Sequence, residues 1–289
     1  MTNNGFFDAL AQLPPLQRAL AAGALAGVCC ASLSPFVVLR RMAFVGDGLA
    51  HAAFGGIGLG LYVLADSRYE DAGVQWVTVG FCLALGFAIA FSSRRAGTHM
   101  LSEDSAIGIA FSVSMALGAL LIKLRLQQNP LYVPPMDTFL FGTLMNIGRR
   151  DIYILCGLTI AVIAMLSLLQ KELLFYTFNA SLAEVSGLDT RVIHYLFMLL
   201  LVLTVVVSSR VMGIVLVSAS LVIPGVISLK LCARLKSAIW VAAFIGLISF
   251  TLGMYVSYEK SVPAGSSIIL IQFFILLIAT AYKSKWPMM

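Results

Sequence analysis

Nine stretches of the chain, at about 16–39, 43–65, 74–92, 105–124, 151–170, 191–209, 211–230, 238–257 and 264–282, are each apolar over close to the length that crosses a bilayer. A transmembrane helix needs roughly 20 such residues, because in hydrocarbon each backbone N–H and C=O must be satisfied within the segment. Repeated this often, the pattern makes an all-α integral membrane protein the expected fold. It would be a polytopic bundle of eight or nine transmembrane helices forming one domain over 1–289. A soluble fold fails on composition: 60% of the residues are hydrophobic and 11% charged, against roughly 25% charged in an ordinary soluble domain. The gaps between the runs are too short for an additional soluble domain.

The net charge of +6 does not form a nucleic-acid-binding face. The cations come in small groups between apolar runs: Arg40/Arg41, Arg94/Arg95, Lys230/Arg234/Lys236 and Lys283/Lys285. That is the pattern of short cytoplasmic loops. With Lys171 also inside, the acidic loop "ADSRYEDAG" faces outward. Arg149/Arg150 break the rule unless "TFLFGTLMNIG" is a re-entrant or surface helix. The first 15 residues lack a basic start followed by a short apolar core, so the first span is expected to direct membrane insertion. The cysteines, at 29, 30, 82, 156 and 232, show no C-x-x-C spacing and read as small buried hydrophobes.

Two ionisable residues stand well inside an apolar run, in "RRMAFVGDGLAHAAFGGIGLG". Asp47 and His51 are four apart and share one helical face. An ionisable group at bilayer depth costs about 2.5 kcal/mol or more, so two on one face imply an interior or wet surface and a use. Three uses are open: a structural Asp–His hydrogen bond joining spans, a proton relay, or contact with a borderline divalent cation through carboxylate oxygen and imidazole nitrogen. Residues 46–60 also hold six of the 24 glycines, with Gly56 and Gly60 in a G-x-x-x-G spacing that permits close helix approach.

Elsewhere the polar residues read as interface and cap groups. Ser102, Glu103 and Asp104 suit a helix entrance, while His99 and His194 are expected to be solvated or interfacial. The cytoplasmic segment 171–191, "KELLFYTFNASLAEVSGLDTR", is polar enough for water. It carries Leu182, Val185 and Leu188 at helical spacing, with Ala183 and Gly187 as a small-residue groove suited to a cytoplasmic partner. No H-E-x-x-H, P-loop or G-x-S-x-G is present. The chain is therefore read as a non-enzyme without a Walker-type ATPase site.

Taken in order, these segments resemble the membrane permeases of zinc/manganese-type ABC importers. "GDGLAHA" is similar to the family's G-D-x-[LI]-[AS]-H-A, and "SEDSAIGIAFSVSMALG" to its E-D-[ST]-x-I-G-I-x-F with a following A-L-G. "TFLFGTLMNI" resembles F-L-F-G-x-[IL], and "KELL…FNASLAEVSGL" resembles K-E-L…A-x-x-x-G-L. "VMGIVLVSASLVIPGVISL" and "LGMYVSYEKSVPAGSSIIL" resemble the two closing elements. Six matches in order span most of the chain.

The resemblance implies an ABC importer permease fold in a bacterial-type cytoplasmic membrane. Two permease subunits, expected as a homodimer within lipid, would work with cytoplasmic ATP-binding subunits and an extracytoplasmic metal-binding protein. Asp47 and His51 match the metal-contacting pair, Ala183 and Gly187 the ATPase-coupling segment, and Pro224 a pore-facing proline. Some relatives add a late-span carboxylate or histidine, whereas residues 195–258 here contain no Asp, Glu or His. Ser218, Ser220, backbone carbonyls, the second subunit or water would then complete the site. The cargo is a divalent metal ion, with no cofactor held permanently. Ala50 before His51 favours zinc over manganese or iron, since the manganese branch often has serine there. The alternatives are an ion- or proton-coupled secondary metal transporter using Asp47/His51, and a non-transporting scaffold.

Overall fold

The computed structural model describes residues 6–64, 71–94, 103–128, 142, 147–178 and 180–285. Helices account for the regular structure, and no strand occurs among the described residues. In chain order they are α1 Phe6–Gln12, α2 Pro14–Leu39, α3 Ala43–Val63, α4 Asp71–Arg94, α5 Glu103–Gln128, α6 Arg149–Leu168, α7 Gln170–Phe178, α8 Ala180–Val185, α9 Thr190–Met212, α10 Ile214–Ser220, α11 Ile223–Leu231, α12 Leu235–Lys260 and α13 Ala264–Lys285. Eight stretches are long and apolar enough to cross a membrane, α10 and α11 together making one of them; α4, apolar over Gly73–Ile89, lies beside them. The bundle of eight to nine spans expected from the apolar runs is what the chain forms.

Local chemistry explains the element ends. Pro14 and Pro15 open α2, where a missing N–H costs nothing. The helix stops where Arg41 turns left-handed at φ +57. There Met42 N–H reaches Val37 O at 2.9 Å and Arg41 N–H reaches Val38 O at 3.1 Å, a Schellman closure made without glycine. Asp189 caps α9 by accepting from Arg191 N at 3.0 Å and Val192 N at 3.4 Å. That helix runs on to Met212 before Gly213 reverses the chain at φ +80, so "SSRVM" belongs to the span and not to the loop after it.

Glycine sets how the spans pack. In α3, a Cβ at Gly56 or Gly60 would strike Thr78 or Val74 of α4, and one at Gly55 or Gly58 would strike Ser114 or Gly118 of α5. One glycine-rich helix therefore seats two neighbours at backbone distance. On the other side, Gly27 of α2 and Gly246 of α12 meet the same way.

Arg40, Arg41, Lys171, Lys230, Arg234 and Lys236 gather at one end of the bundle, which is the cytoplasmic end by the positive-inside rule. Arg149 and Arg150 open α6 at the opposite end, where Arg210 donates to Gln75 at 2.7 Å and stands 3.8 Å from Asp151. They are a true exception to the charge rule. Of "TFLFGTLMNIG", only Gly142, Ile147 and Gly148 fall within the described residues. The loop 65–70, His99, Ser102 and the side chains of Glu103 and Asp104 fall outside them.

Candidate metal site and cytoplasmic segment

Asp47 and His51 occupy the first turns of α3, next to the cytoplasmic turn made by Arg40 and Arg41. At a rise of about 1.5 Å per residue, both lie in the inner half of the span. His51 Nδ1 is 3.0 Å from the Asp47 carbonyl oxygen and 3.6 Å from Asp47 Oδ1. A carbonyl can only accept, so this contact places a proton on Nδ1, and in the neutral ring Nε2 then carries the lone pair. The Phe111 ring of α5 lies edge-on to the imidazole, 4.5 Å between centroids, and fixes its plane. Asp47 keeps 44% of its side chain exposed and His51 18%.

The hydrogen bond stays within one helix, so the pair does not fasten spans together. The arrangement offers one oriented nitrogen and one open carboxylate to a cation. Among the described residues no group of three or more His, Cys, Asp or Glu could hold a metal ion. Any ion here would draw its remaining ligands from hydroxyls, carbonyls, water or a second chain.

The late-span residues approach this site unequally. Leu221, fully buried at the break between α10 and α11, packs on α3 so closely that a Cβ at Gly46 would lie 3.2 Å from its Cδ1. The break therefore abuts the residue just before Asp47. Pro224 has no N–H to return to the Ser220 carbonyl, and the Gly225 N–H is taken by Ser34 Oγ of α2 at 2.7 Å. Ser218 is partly exposed and donates to Val215 O at 3.1 Å. Ser220 is fully buried and accepts from Gln272 Nε2 of α13 at 3.1 Å. Sequence reasoning passed over Gln272, although a lone amide in "IILIQFFILLIA" was the available signal. It is 1% exposed, and its Oε1 is buried without a hydrogen-bond partner among the described residues.

The cytoplasmic segment folds as α7 and α8, and its details correct two expectations. Ala183 and Gly187 do not share an open groove. Ala183 is fully buried, while Gly187 lies beyond the helix at φ +84, with no described residue within 4 Å of an added Cβ. Leu188 N–H to Ala183 O at 3.1 Å and Gly187 N–H to Glu184 O at 3.0 Å close α8 by a Schellman turn. The most exposed apolar side chains are instead Val185, Phe178 and Leu182. Beside them is a hollow of about 450 Å³ lined by Lys171, Glu172, Leu174, Phe175, Phe178 and Leu188. His194 is likewise not solvated. It is 4% exposed, because α7 folds back over the first turns of α9 and sets Tyr176 against it.

The ABC 3 transport family matches residues 12–283. The chain is 34% identical over 282 residues to the "Manganese transport system membrane protein MntC" of Halalkalibacterium halodurans, covering 97% of this chain and 91% of that one. It is 29% identical to the "Probable iron transport system membrane protein" of Haemophilus influenzae, over 93% of each chain. Among solved structures, "PsaBC from Streptococcus pneumoniae in complex with Fab" superposes with a TM-score of 0.80 at 29% identity, covering 95% of this chain and 94% of that one.

Proposed function

The chain belongs to the ABC 3 transport family, and from that premise we propose that it is the permease of an ATP-driven importer of divalent metal ions, manganese foremost. It is a multi-pass permease of a bacterial cytoplasmic membrane. The observation that carries the cargo reading is the Asp47/His51 pair on α3: an open carboxylate beside an imidazole whose Nδ1 is held by the Asp47 carbonyl, freeing Nε2. Relatives named for manganese and iron transport support the same reading.

Manganese is favoured on ligand chemistry. With one imidazole and one carboxylate, the remaining ligands would be hydroxyl, carbonyl or water oxygens, and an oxygen-rich shell suits manganese better than zinc. Two strong ligands also hold an ion loosely, as conduction requires if it is to leave. The zinc preference drawn from Ala50 rests on a single position and remains the second reading. A secondary carrier no longer competes, since membership of an ABC family implies ATP-driven partners.

In this reading Asp47 and His51 take a partly dehydrated ion, and oxygens at the α10–α11 break or on a second permease complete its shell. Leu182, Val185 and Phe178 supply the apolar contact for the ATP-binding subunit. Two copies of the permease, two ATP-binding subunits and an extracytoplasmic metal-binding protein make the working assembly.

The test is elemental analysis of cells lacking their own zinc and manganese importers, with the cognate ATPase and binding protein coexpressed. Manganese is expected to rise with wild type and to stay at background with Asp47→Ala and His51→Ala at equal membrane abundance. A rise in zinc alone would reverse the metal assignment. Normal accumulation by both variants would sink the site.

A further inference from the structure

Arg40 caps the C-terminus of α2, one residue before the left-handed Arg41 and three before the start of α3. Its guanidinium packs on aromatic rings, whereas the neighbouring Arg41 is exposed. The Cζ atom lies 4.3 Å from the ring centroid of Tyr176 on α7 and 5.6 Å from that of Phe197 on α9. Nη2 donates to Tyr176 Oη at 2.8 Å and stands 3.3 Å from His194 Nδ1. Phe197 is itself fully buried against Phe36, one turn earlier on α2, at 6.3 Å between centroids. One side chain thus joins three elements: the end of α2, the first cytoplasmic helix and the entrance of α9.

We propose that Arg40 is a positioning residue that couples movement of the cytoplasmic helices α7 and α8 to the placement of Asp47 and His51. The inference rests on the permease reading above and deepens it. Two rigid connections support it. On the membrane side, the Schellman closure leaves no slack between Arg40 and α3, whose N-cap Met42 is buried and bonded to Val37 O at 2.9 Å. Beyond this turn α3 packs mainly on α4 and α5, so the turn is its main tie to α2. On the cytoplasmic side, Thr190 Oγ1 donates to Glu184 Oε1 at 2.6 Å and Leu188 N–H to Ala183 O at 3.1 Å, binding α8 to the start of α9. A partner that displaces α7 and α8 therefore moves Tyr176 and His194, and with them the guanidinium that anchors the α2–α3 turn.

The chemistry needs arginine. A planar guanidinium can lie over a ring while its in-plane N–H groups bond to hydroxyl and imidazole; an ammonium cannot do both in this geometry. Arg40→Lys keeps the charge and removes the fork. Tyr176→Phe keeps the ring and removes the hydroxyl, while Tyr176→Leu removes both.

The experiment uses the full permease with its ATP-binding subunit in proteoliposomes, the binding protein outside, and manganese(II) and zinc(II) each as cargo. Metal carried and ATP hydrolysed are measured together. In Arg40→Lys and Tyr176→Leu, metal carried per ATP is expected to fall at least about fivefold, with hydrolysis within about twofold of wild type and subunit stoichiometry unchanged; Tyr176→Phe should lie nearer wild type. An unchanged ratio in Arg40→Lys and Tyr176→Leu overturns the proposal. So does a parallel fall of hydrolysis, uptake and assembly, which would make the cluster scaffold alone. A wild type that carries neither metal under ATP overturns the permease reading itself, a result distinct from either.

Discussion

The Gly225 amide donates to the Ser34 hydroxyl at 2.7 Å, joining the start of α11 to the last two turns of α2. The bond forms because Pro224 interrupts the span, and the freed amide turns to a side chain instead of the carbonyl one turn back. It also demands glycine: a Cβ at 225 would sit 2.6 Å from the Ser34 backbone carbonyl carbon and oxygen.

From this contact, Gly225→Ala should lower the unfolding midpoint in detergent through overpacking worth about 1–3 kcal/mol. Ser34→Ala should cost less, about 1 kcal/mol, as single hydrogen bonds between membrane helices do. Thermal unfolding of the two variants side by side checks the order. If Ser34→Ala proves the more damaging, the hydroxyl and not the close approach holds the break in place.

Phe111 lies edge-on to His51 and belongs to neither the carboxylate nor the imidazole. Replacing it with leucine keeps apolar bulk but frees the ring plane. Metal uptake is expected to fall about threefold to tenfold at equal abundance, the loss of an aromatic contact of about 1 kcal/mol. Uptake equal to wild type would mean that the carbonyl of Asp47 alone orients the imidazole.

The sequence patterns carried the fold further than the site. Runs of about 20 apolar residues fixed the spans, since hydrocarbon permits few alternatives, and Asp47 and His51 stood out because ionisable groups are rare there. Three features were not legible. Ala183 and Gly187 looked equivalent at i, i+4, yet Gly187 ends the helix, so the spacing crossed a boundary that local pattern does not mark. His194 read as solvated or interfacial and Arg40 as a cation of a short cytoplasmic loop, because the fold-back of α7 that packs on them is a tertiary event. Gln272 acquires meaning only through Ser220, 52 residues away.

Gly187 supplies a direct check on the corrected reading of the cytoplasmic segment. Its φ of +84 favours glycine, while no described residue lies within 4 Å of an added Cβ. Asn, which tolerates left-handed backbone, should preserve copurification with the ATP-binding subunit. A β-branched valine should reduce it by straining the turn, at a cost of about 1–3 kcal/mol. Val185→Asp, at 88% exposure, should weaken the association without altering permease stability. If Gly187→Asn is as harmful as Gly187→Val, a partner surface fills the space beside Gly187 and the steric groove returns.

Among the described residues Gln272 makes one hydrogen bond, to Ser220, and leaves a buried carbonyl oxygen without a partner. The first contributes about 1 kcal/mol between membrane helices, and the second costs about 1–3 kcal/mol. The cost outweighs the gain, so Gln272→Leu should hold or raise the unfolding midpoint in detergent, while Ser220→Ala alone should lower it by stranding the amide. The double variant should match or exceed Gln272→Leu, since it removes the hydroxyl left behind. A sharp fall with Gln272→Leu would mean that the oxygen is satisfied by water held at the α10–α11 break. The amide would then hydrate the segment that abuts Asp47.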